Sequence, residues 1–147
     1  MEFNLKGLSD YPAAIFPAEL IAAYPEAAIL LSTRDEESWH TSMMGTLVHA
    51  QQRRSADDPS LMVVMARKYH FHCWGDDFEK NGREAFRQHN ELVRKLSQGR
   101  RFLEYQVKDG WGPLCQFLNT QVPQDNFPRQ DDWLEYKKMV QADANKS

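Results

Sequence analysis

Residues 26–43, EAAILLSTRDEESWHTSM, decide how the rest of the chain is read. Ala27 to Leu31 form an unbroken apolar run of the kind shown by a strand buried on both faces. The run ends at Ser32 and Thr33, polar residues at the place where such strands meet ligands. Asp35, Glu36 and Glu37 then suit the positive end of a helix macrodipole. The stretch predicts strand, turn and helix, with Arg34 at the junction and Ser42 eight positions later in the first turns of the helix.

Upstream, PAAIFPAELIAAY predicts a short helix from Pro17 to Tyr24, closed by Pro25. Downstream, DEESWHTSMMGTLVHAQQRR carries Trp39, Met43, Leu47 and Ala50 along one helical face. A polar break, SADDPS, separates it from LMVVMARKYHFHCW and from DFEKNGREAFRQHNELVRKLSQ, the latter helical through Phe86, Leu92, Val93 and Leu96. In RRFLEYQVKDGWGPLCQFL the period changes to two, with Phe102, Glu104 and Gln106 alternating against Leu103, Tyr105 and Val107. DGWGP then turns into another helix with Pro113 in its first turn. NTQVPQDNFPRQDD reads as an extended loop, WLEYKKMVQ as a last short helix, and residues 137–147 as a tail prone to fray. The predicted fold is a helix-rich α/β domain over residues 1–147: a small parallel sheet with strands near 27–33 and 101–107, and five or six helices. About seventy residues of helix between two strands allow parallel pairing without a hairpin.

The 147 residues are 41% hydrophobic and 27% charged, enough for one buried core. With 18 basic against 21 acidic residues the net charge is −3, which gives no global attraction to nucleic acid or an anionic membrane and leaves room for a local basic pocket. Cys73 and Cys115 lie far apart in unrelated contexts, as reduced thiols do. The N-terminus lacks the charged and apolar segments of a leader, and no run approaches the roughly 18 apolar residues of a membrane helix. A cytoplasmic protein is expected, with a small molecule as its partner rather than nucleic acid or membrane.

Six short motifs in order carry a resemblance: DYP at 10–12, AYP at 23–25, RDEESW at 34–39, HN at 89–90, EY at 104–105 followed by GWGPLC at 110–115, and FPR at 127–129. Over roughly residues 8–133 the chain resembles the sulfotransferase-like P-loop family common in fungi, whose members are often labelled NAD-dependent epimerase/dehydratase. In sulfotransferases an Arg at the end of a core strand and a Ser eight positions on hold the 3′-phosphate of 3′-phosphoadenosine 5′-phosphosulfate. The resemblance places Arg34 and Ser42 in those roles. The chemistry is sound, since a guanidinium forks onto phosphate and a helix N-terminus adds positive potential. The family's strand and Gly-rich loop, which cradle the 5′-phosphosulfate, have no counterpart among the seven scattered glycines. The resemblance therefore implies an incomplete donor site and no bound cofactor.

Candidate acid–base residues are Asp10 near the acceptor side, His40 on the helix after Arg34, and Glu104 at a strand end. The competing reading of Asp10 is a turn aspartate before Pro12. His40 and His49 project about 180° apart on a straight helix, so at most one meets a given pocket. Trp39, Tyr105 and Trp111 are candidate walls of an apolar pocket, although aromatic residues at such spacings also build plain core. HFHC at 70–73 lacks a distant second ligand pair, and no metal is expected. His89 and Asn90 are assigned a structural role. Three functions compete: cofactor-independent isomerisation, cyclisation or dehydration of a small apolar metabolite; a sulfotransferase or nucleotide half-site completed by a partner or second copy; and a non-catalytic remnant. With the loop strand missing, the two remaining strands are expected to pair directly, drawing Arg34 towards Glu104 and Tyr105; the alternative is a homodimer completing the sheet.

Overall fold

The computed structural model describes residues 7–144 except 56, 129, 130 and 132. After a 3₁₀ turn at Ala13–Ile15, helix α1 spans Pro17–Ala23, with Pro17 in the first turn where no N–H is needed. Strand β1 is Ile29–Ser32. Helix α2 runs as three consecutive segments, Glu36–Met43, a π-helical turn Met44–Val48, and His49–Gln52. Asp35 caps it, its carboxylate accepting the Ser38 N–H at 2.8 Å. Helix α3, Leu61–Trp74, stops at Gly75, whose φ of 62° is the left-handed conformation glycine adopts without strain. Helix α4, Phe78–Leu96, is capped by Asp77, which accepts the Lys80 N–H at 3.1 Å. Strand β2 is Phe102–Tyr105, helix α5 Trp111–Leu118 and helix α6 Leu134–Ala144. Helix α6 covers most of the segment for which fraying is expected; residues 145–147 lie outside the described ones.

The two strands pair directly and in parallel, Ile29 opposite Phe102 and Ser32 opposite Tyr105. The Ile29 N–H donates to the Arg101 carbonyl at 2.9 Å and the Thr33 N–H to the Tyr105 carbonyl at 2.8 Å, so the ladder continues past both ends of β1. Among the described residues no further strand joins them. The fold is thus the helix-rich α/β arrangement expected, with direct closure of the sheet. The expectation that β1 is buried on both faces needs correction. Leu31 is 6% exposed but Leu30 is 40% exposed, because a sheet two strands wide is backed on one side.

Phe78 anchors the helical side of the molecule. It is 3% exposed and its ring meets Trp39, His40 and Trp74 at centroid distances of 5.3, 5.1 and 5.1 Å. Val48 and Trp74 complete this buried cluster, with Met43, Met44 and Tyr69 packed around it. The π turn carries Thr46 and Val48 inward, and the Thr46 hydroxyl donates to the Ser42 carbonyl at 2.6 Å. Gly82 lets the Phe78 ring lie flat over α4, since a Cβ at that position would come within 2.7 Å of it. Helix α6 docks on α2 through Tyr136, whose hydroxyl lies 2.8 Å from His49 Nδ1. Both cysteines are free thiols. Among the described residues no helix is long and apolar enough to cross a membrane.

Candidate small-molecule site

An open groove of about 1160 Å³ lies at the C-terminal ends of the two strands. The register makes it: parallel pairing sets Thr33, Arg34 and Asp35 beside Gln106, Val107 and Lys108, where ligands of α/β folds gather. Helix α4 forms one wall, presenting Phe86, His89, Asn90 and Arg94. Trp39 and Trp74 supply an apolar back, Trp39 stacked on Phe86 with centroids 4.5 Å apart.

Glu104 is the best-defined charged group in the groove. Arg94 grips it with two bonds, Nε to Oε2 at 2.8 Å and Nη2 to Oε1 at 2.7 Å, in fork geometry. The Thr33 hydroxyl donates to Oε1 at 3.4 Å. The Arg94 hydrogen bonds hold the Glu104 carboxyl below its usual range, so at neutral pH it accepts hydrogen bonds and does not donate. His89, half-buried in the same wall, is pushed the other way in function: burial lowers its pKa and keeps the imidazole neutral, with one nitrogen to give and one to accept. Tyr11 and Cys73 meet at the far rim, and burial raises both, leaving a phenol and a thiol in protonated form. Arg34 lines the groove and, among the described residues, has no hydrogen bond or ion pair.

The residues singled out in the sequence separate into two groups. Arg34, Trp39 and Glu104 reach the groove. Asp10 does not: it is exposed, at φ 62°, and its carboxylate accepts the N–H of Tyr11 at 2.7 Å in a local turn. His40 stacks on Phe78 inside the helical core with a buried, unpartnered Nε2. Ser42 is half-buried on α2 and lies outside the groove lining. Tyr105 is buried beneath the sheet end, its hydroxyl donating to the Gly110 carbonyl at 2.9 Å. Trp111 packs on Phe127 at 4.6 Å and donates to the Asp125 carbonyl. Closure of the sheet brings Arg34 and Glu104 into one groove, as expected, although it is Arg94 that pairs with the Glu104 carboxylate. Asp35, also in the groove lining, takes one of the free N–H groups at the start of α2, that of Ser38.

A sequence profile described as a sulfotransferase domain matches residues 3–136. The chain belongs to the sulfotransferase-domain family. It is also 33% identical, over 165 aligned positions covering 93% of the chain, to Ava biosynthesis cluster protein M of Aspergillus versicolor. The chain spans 63% of that relative's length. Within this sulfotransferase-like domain, sequence reasoning missed Arg94 and undervalued His89 and Asn90. Phe86, Asn90 and Arg94 recur every four residues along α4, so they share one face. That spacing was visible; which face would look onto the strand ends was not.

Proposed function

We propose that the groove binds a small, largely apolar metabolite and promotes its isomerisation, cyclisation or dehydration without a cofactor. The observation that supports this most is the joint presence, at the strand ends, of an ionised Glu104, a neutral His89 and an aromatic wall. Such reactions need a shaped site and a proton relay. In a dehydration, the His89 imidazole takes a proton from substrate carbon as the double bond forms. The imidazolium returns that proton to the departing hydroxyl, which leaves as water. Glu104 orients the substrate as a fixed acceptor. Asp10 and His40, which are not part of the groove lining, have no part in this reading. The name of the relative, a biosynthesis cluster protein, accords with a small-molecule substrate. Deleting the gene in its native host and restoring it as E104Q or H89F tests the reading by metabolite profile. An intermediate that accumulates in the deletion and persists with both variants is expected; an unchanged profile in the deletion sinks it.

A second reading, a nucleotide half-site completed by a partner chain or a second copy, is favoured by one feature, the unpaired Arg34. Calorimetry with adenosine 3′,5′-bisphosphate separates the two. Binding that vanishes in R34A supports the half-site, whereas no heat at millimolar ligand leaves the cofactor-free reading alone.

A further inference from the structure

Asn90 is 6% exposed and lines the groove one helical turn before Arg94. Among the described residues its carboxamide has no hydrogen-bond partner. Nor is the carboxamide sealed away. The unpartnered side-chain atoms that are fully enclosed belong to His40, Gln51 and Ser97, while both polar atoms of Asn90 keep access to the groove. Of the other buried polar side chains Ser97 is unpaired but enclosed, whereas three are paired: Thr33 donates to Glu104, Thr46 to the Ser42 carbonyl, and His70 accepts the indole N–H of Trp74 at 3.2 Å. A buried amide left without partners is destabilising, and an apolar side chain of similar shape removes that cost. The Asn90 carboxamide, open to the groove and without a protein partner, is free to pair with a molecule that enters it.

We infer that Asn90 is a specificity-determining residue, pairing with a neutral substrate group that both donates and accepts, such as a hydroxyl. The charges nearest it support neutrality, because Arg94, one turn along the helix, is paired with Glu104, while Arg34 and Lys108 lie at the strand-end side of the groove. Glu104, an acceptor only, and Asn90, which can donate, together complement a hydroxyl that gives its proton to one and accepts from the other. This inference rests on the reading of the groove as a small-molecule site.

Two probes that differ only by a hydroxyl test it, benzyl alcohol and toluene, titrated into ¹⁵N-labelled protein while backbone amides and the Asn90 side-chain amide are followed. The alcohol is expected to move the Asn90 side-chain resonance, and N90L to reduce preference for alcohol over toluene by about three- to tenfold. N90L is also expected to leave the melting midpoint within about 2 °C of the wild type, since the amide it removes has no protein partner and is open to water in the groove. A lowered midpoint in both N90L and the smaller N90A identifies a structural amide and overturns the inference. So does an unchanged alcohol preference in N90A, which adds no bulk. Toluene and alcohol binding alike in the wild type refutes the role of Asn90 but leaves the groove standing. No response at any groove amide removes the groove reading and the inference together.

Discussion

The helical region around Phe78 and the groove at the strand ends share Trp39, Trp74 and helix α4, yet treat polar groups in opposite ways. Around Phe78 rings meet at about 5 Å, and the polar atoms left over, His40 Nε2 and Gln51 Oε1, have almost no exposed surface. In the groove the unpaired groups, Arg34 and Asn90, face open space. One region invests its sequence in packing and the other in presentation. A substitution should therefore register as lost stability in the first and as altered recognition in the second.

The largest test of that division is Phe78→Ala. Truncating a 3% exposed aromatic held by three rings is expected to cost about 3–5 kcal/mol in denaturant unfolding. A cost below about 1 kcal/mol would show that the cluster is not the stabilising centre. Gly82→Ala comes next. Alanine gains about 1 kcal/mol in helix propensity, but its Cβ would press on the Phe78 ring at 2.7 Å, in a site whose neighbours leave no room. The expected result is a net loss of about 1–2 kcal/mol from overpacking; a net gain would mean that the ring swings away freely.

Acidification probes the same boundary. Burial holds His70 and His89 below the ordinary histidine range. Their folded pKa values are lower than the unfolded value near 6.5, so the unfolded chain takes up protons first. Stability from these histidines is fully present above about pH 6.5 and is lost as pH falls through the folded values. Replacing buried His70 by Gln is expected to flatten the unfolding free energy between about pH 7 and pH 5 more than the same change at half-buried His89. Equal slopes in both variants would remove burial as the cause. Arg34→Ala is the smallest in stability: an unpaired, exposed guanidinium is expected to change the unfolding free energy by no more than about 0.5 kcal/mol. A loss of several kcal/mol would make it a structural arginine.

The sheet was readable in advance because both strands announce themselves locally, one as an apolar run and one as a change to period two, and because the helices between them leave parallel pairing as the simple connection. Arg34 and Glu104 were readable for a related reason, since strand ends in such folds point at ligands. Ser42 and His40 were not. The π turn at Met44–Val48 and the packing on Phe78 settle how α2 sits, and neither is written in the helical period of that segment. Arg94 escaped because its partner lies across a turn on another element, a pairing that only the fold creates. Asp10 shows the same limit from the other side, a carboxylate used up by its own backbone.

Crystallographic fragment screening tests the central claim most directly, because two cavities compete for the fragments. One is the groove; the other, about 390 Å³, lies between Gln51, His70 and Phe78 on the helical side. Hydroxyl-bearing aromatic fragments are predicted to collect in the groove, between Thr33–Asp35, Asn90–Arg94 and Glu104–Lys108, with their oxygens on Asn90 or Glu104. Fragments that gather instead beside His70, with the groove empty, would contradict the account.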